Sequence, residues 1–93
     1  AQVTMENVGT VPIEVLGEVV VHWGKGTEVG GWKGMRLRDL PPETLAFLAN
    51  YHGDGWAPRP HPRTGAVDPR DEVLQAAARR CYEHLVSQRR QKE

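Results

Sequence analysis

Four glycines fall within the eight residues GKGTEVGG, from Gly24 to Gly31. Glycine takes up positive φ without penalty and weakens any helix or strand interior, so no regular element runs through such a stretch. The run is also too long for a two-residue hairpin turn. The expectation is a mobile loop, dividing the chain into a segment that feeds it and a segment that leaves it.

The feeding segment alternates. Val11, Ile13, Val15, Val19, Val21 and Trp23 sit at odd positions, interrupted only by Gly17, while Glu14, Glu18 and His22 fall at even ones. A period of two predicts a half-buried strand with a bulge at Gly17, or two shorter strands broken there. Beyond the loop, Trp32 to Arg38 is read as a second short strand. Met35 and Leu37 lie on one of its faces; Trp32, Arg36 and Arg38 lie on the other.

Helix signals follow. Asp39-Leu40-Pro41-Pro42-Glu43 combines a capping carboxylate, prolines tolerated in a first turn and an acid that complements the helix dipole. This helix is expected to run to about Tyr51, with Leu40, Thr44, Phe47, Leu48 and Tyr51 facing inward. Residues 53–67 hold three Gly and three Pro and exclude regular structure. Asp68-Pro69 then opens a second helix, on which Leu74, Ala78, Cys81 and Leu85 share one face. The fold class that results is α+β: a β-hairpin, or three short strands, followed by two helices packed on one sheet face. Residues 1–10 are read as a flexible lead-in, 11–86 as one small domain and 87–93 as a polar tail that frays.

Composition sets outer bounds. Ninety-three residues with 39% hydrophobic and 26% charged side chains suit one small globular domain. A single cysteine, Cys81, excludes an internal disulfide and suits a reducing compartment. No membrane-spanning run or secretory leader is legible, so a cytoplasmic location is the default expectation. Net charge is zero, yet residues 1–22 carry three Glu and no Lys or Arg. All twelve basic residues therefore lie in 23–93, against the nine remaining acids. The bias is local and lacks the high pI of a protein coated in nucleic acid.

Around the glycine loop the basic residues interleave with an indole: Lys25, Trp32, Lys33, Arg36 and Arg38. Lys and Arg gain affinity for phosphates by releasing counterions, and an exposed indole stacks a base with little sequence preference. The plain alternative is that Trp32 packs across the hairpin and the charges are simply solvated. Trp23, which ends the apolar parity, is read as a core residue. The arginines of the second helix, Arg79, Arg80, Arg89 and Arg90, together with Lys92, are read as a basic outer side, more simply solvated than phosphate-binding.

The stretch also resembles a known family. Trp23-Gly24-Lys25 gives an aromatic-Gly-Lys start, Lys33-Gly34 a second Lys-Gly, Leu37 a spaced leucine and Leu40-Pro41 a helix start. Leu45, Phe47 and Leu48 follow as helix core, with Trp56-x-Pro58 and the Asp68-led helix beyond. Over about residues 19–86 this is similar to the small C-terminal domain of exodeoxyribonuclease X-type exonucleases. Related phage and bacterial domains stand beside single-strand annealing modules. Two departures stand out: Gly26 to Gly31 fill a gap where family members have one residue, and Thr44 replaces a helical tyrosine. The resemblance implies an accessory role in DNA recombination or repair, without nuclease chemistry of its own.

No cofactor or catalytic motif is legible. Cys81 and His84 lie three apart on the second helix, but zinc normally takes four ligands in paired spacings, and Cys81 is on the apolar stripe. That thiol has no orienting third group nearby in sequence, so no metal site and no catalytic residue is expected. The leading expectation is a non-catalytic domain that binds nucleic acid, single-stranded DNA or junctions before duplex, through Lys25, Trp32, Lys33, Arg36 and Arg38. Its competitor is a protein-interaction module docking a nuclease or the acidic tail of a single-strand binding protein. A folding or oligomerisation appendage without a ligand is the third.

Overall fold

The computed structural model describes residues 3–92, with side chains through Arg89. Three helices carry the fold among the described residues: α1 (Ile13–Leu16), α2 (Pro42–Ala49) and α3 (Pro69–Lys92). Short 3₁₀ turns at Thr27–Val29 and Leu37–Asp39 lie in the connection between α1 and α2.

The expected sheet does not form. Among the described residues the only pairings are an antiparallel bridge between Val20 and Arg36 and a parallel one between Gly26 and Lys33. The reason lies in the alternating segment. Pro12, at φ −60 and ψ 152, starts a single helical turn, and the amides from Val15 to Val19 bond locally to carbonyls three or four residues back. Those amides are lost to any ladder. Pairing with the second segment is left to a few bonds: Leu37 N–H to the Val19 carbonyl at 2.9 Å, Val21 N–H to Met35 at 3.0 Å and Arg38 N–H to Gly17 at 3.1 Å. The 3₁₀ turn from Leu37 ends it at once. Leu16 exposes the flaw in the period-of-two reading: it sits on the even parity, yet it is fully buried, while Ile13 and Val15 are only half-buried.

Helix packs on helix instead. Leu74, Ala77 and Ala78 of α3 are 1% exposed or less and meet Leu45, Leu48 and Ala49 of α2, with Leu16, Val21, Leu37 and Leu40 completing the cluster. The two alanines leave room for close approach, and each fully buried leucine contributes roughly 1.5–3 kcal/mol. Asp68 caps α3 as expected: its Oδ1 accepts the Arg70 amide at 2.9 Å, and Pro69 gives up no bond at the first helical position. The helix continues through the polar residues from Ser87, because Gln, Arg and Lys are good helix formers.

At α2 the expected cap is not used. Pro41 occupies the cap position without a side-chain bond, and Asp39 turns to Arg36. The helix ends in a Schellman arrangement: Asn50 is left-handed at φ 51, its amide reaches Phe47, and the Tyr51 amide reaches Ala46 at 3.1 Å. The inner stripe is also rotated from expectation. Leu45, Ala46 and Ala49 are buried, whereas Phe47 and Tyr51 are 40% and 38% exposed. Without a sheet behind it, α2 turns toward α3 and leaves its aromatics outside.

Residues 4–10, within the expected lead-in, wind through hydrogen-bonded turns, and Val8 joins the core. Arg80, expected on the outer side of the second helix, turns inward: its Nη1 donates to the carbonyls of Val8 at 2.8 Å and Val11 at 2.7 Å. Arg79 and Arg89 are exposed. The side chains of Arg90 and Lys92 lie outside the described residues.

Candidate nucleic-acid interface

The glycine loop closes on itself. Gly31 N–H donates to the Gly26 carbonyl at 2.9 Å and Lys33 N–H to the Lys25 carbonyl at 3.0 Å, while Thr27–Val29 makes the 3₁₀ turn within. A Cβ on Gly31 would lie 2.0 Å from the Lys25 carbonyl oxygen, so the crossing requires glycine there. Lys25 and Lys33 thereby become backbone neighbours. Both are exposed, and neither has an acidic partner among the described residues.

Trp32 leaves this ring half-buried. Its ring centroid lies 6.5 Å from that of Trp23, edge-on at 81°, and 6.0 Å from that of the exposed Phe47. Trp23 in turn meets Trp56 at 5.0 Å and packs against the core, with its indole N–H buried and unpartnered. Trp32 is therefore a wall braced by other rings, not the free plate that an outward strand position implies. Phe47 was missed as part of this surface because helix periodicity assigns it inward. The Leu-x-x-Leu spacing of Leu45 and Leu48, both buried in the core that α2 shares with α3, is the sequence signal for the turned stripe.

Arg36 and Arg38 do not stand open as a pair of free cations. Both clasp Glu18, Arg38 at 2.7 Å and Arg36 at 3.1 Å, and Arg36 also reaches Asp39 at 3.3 Å. Hydrogen bonds from Arg38 and then Arg36 hold the Glu18 carboxyl below its usual range, and Glu18 in turn raises Arg36. Two guanidiniums meet two carboxylates, so this corner carries no net charge. Its members are about half exposed, and such pairs are weak and screened by salt, so a phosphate can compete for them.

The metal-ligating types gather elsewhere. His22 Nε2 lies 2.6 Å from Asp71 Oδ1, and Asp68 stands beside them with all three ligand atoms within 4.8 Å. Arg70 takes both Asp68 oxygens, at 2.8 Å in the shortest contact, and holds that carboxyl at about 2. The arrangement is a hydrogen-bonded clasp tying residue 22 to the start of α3. Cys81 and His84 gather no third such side chain among the described residues, and burial pushes the Cys81 thiol up to about 11.

No family model, no curated protein and no solved structure matches the chain. The likeness to the exodeoxyribonuclease X-type domain rests on its short motifs alone. No helix among the described residues is long and apolar enough to cross a membrane.

Proposed function

We propose that this chain is a non-catalytic nucleic-acid-binding module that favours single-stranded DNA. The observation that carries the reading is the backbone ring placing Lys25 beside Lys33, both exposed and without an ion-pair partner among the described residues, next to the Trp32–Phe47 surface. The two ammoniums supply counterion release, and the aromatic surface supplies stacking that bases inside a duplex, covered on both faces, cannot use. Arg36 and Arg38 join only by exchanging Glu18 for phosphate. The motif likeness suggests a recombination or repair protein as the setting, and a cytoplasmic one accords with a lone thiol.

The test is anisotropy of a fluorescent oligothymidine at two salt concentrations. Binding at low salt that weakens in Lys25→Glu and Lys33→Glu, with folding unchanged, is the expected result; no binding at low salt ends the reading. One observation favours a protein partner instead, the exposure of Phe47 on α2 and of Tyr51 just past its end. An acidic peptide that binds the chain when the oligonucleotide does not would select that alternative.

A further inference from the structure

An open recess of about 430 Å³ is lined by Phe47, Gly55, Trp56, Ala57, Arg59 and Asp71. Phe47 touches Trp32 and Trp56 touches Trp23, so the two aromatic residues that line the recess belong to the aromatic surface already described. Its walls are fixed by the backbone. The Trp56 amide donates to the Phe47 carbonyl at 3.0 Å, and the Gly55 amide to Asn50 Oδ1 at 2.8 Å. Gln75 Nε2 holds the Trp56 carbonyl from the α3 side at 2.6 Å. Gly55 permits this closeness, since a Cβ there would lie 2.4 Å from the Phe47 carbonyl oxygen.

The polar edge is complementary to a nucleotide. Arg59 is exposed and has no acidic partner among the described residues, so its guanidinium is available to a phosphate. Asp71 spends Oδ1 on His22, and its second oxygen has no partner among the described residues. That oxygen is an acceptor for the N–H groups that every base carries on its pairing edge. Only an unpaired base presents that edge.

We propose that this recess receives one unpaired nucleobase between Phe47 and Trp56, with Arg59 on the adjoining phosphate and Asp71 on the pairing edge. The strand then runs from the Lys25–Lys33 corner across Trp32 into the recess. The proposal rests on the nucleic-acid reading above and specifies its ligand: a single strand with its bases present.

The experiment compares a labelled oligothymidine, the same length made of abasic sugar-phosphate, and the matching duplex, at low salt. Variants are Phe47→Ala, Phe47→Leu, Arg59→Ala and the double Lys25→Glu, Lys33→Glu, each checked for folding by circular dichroism. The base-bearing strand is expected to bind roughly 5- to 150-fold more tightly than the abasic one, the range of one stacked base. Phe47→Leu, which keeps apolar bulk and removes the π face, is expected to erase most of that margin, and Arg59→Ala to weaken base-bearing and abasic strands alike. Equal binding of base-bearing and abasic strands, lost only with the lysines, overturns the recess and leaves the nucleic-acid reading standing. Duplex binding as tight as single-strand binding overturns the recess as well. No binding of any oligonucleotide removes both.

Discussion

Gly31 shows how much one hydrogen atom decides at the residue scale. The chain crosses itself where a methyl group would strike the Lys25 carbonyl at 2.0 Å, so Gly31→Ala must open the ring that aligns the two lysines. The expected cost is about 1–3 kcal/mol in thermal or urea unfolding. Gly9→Ala, where nothing lies within 4 Å, is expected to be near neutral. Equal stability of the two variants would contradict the closed ring. Cys81 offers a second check. With its thiol pushed up to about 11 by burial, almost none is thiolate at neutral pH, and iodoacetamide should modify it far more slowly than a free cysteine. Rapid labelling of the folded chain would show that the side chain is open to solvent.

Among elements, α2 and α3 carry the stability. Leu48 is fully buried where they meet, and Leu48→Ala is expected to cost about 2–5 kcal/mol in urea unfolding. A loss below 1 kcal/mol would mean that the two helices are not packed as described. The start of α3 is sensitive to acid. The hydrogen bonds of Arg70 hold Asp68 at about 2, below its ordinary 3.8, so its contribution is complete above that ordinary value and disappears as pH falls through about 2. Asp68→Asn keeps a capping side chain and removes the titration, so thermal melting between pH 4 and 2 should vary less steeply in the variant. Parallel curves would place the acid sensitivity elsewhere.

For the whole molecule, the charge balance around the glycine ring decides how binding responds to salt. If Lys25, Lys33 and Arg59 meet phosphates, log affinity against log salt should slope at about −2.1; with Arg36 and Arg38 released as well the slope steepens to about −3.5. Glu18→Gln frees Arg38 and leaves Arg36 with Asp39 alone. It is expected to move the slope toward the steeper value and strengthen binding at low salt. An unchanged slope and affinity would show that this corner takes no part.

Where the helices start was legible in the sequence, because it depends on a few adjacent atoms, although Asp39 does not cap α2. Asp68-Pro69 opens α3, the Pro41-Pro42 pair opens α2, and the glycines mark where the chain must bend. Tertiary packing decided the rest. The valine alternation fits a strand in isolation, but Pro12 and the burial of Leu16 commit its first half to a helical turn, and no sheet follows. Likewise Arg36 and Arg38 are free cations until Glu18, eighteen and twenty residues away, comes to meet them. Local spacing cannot announce such partners, since they come together only when distant segments share one core.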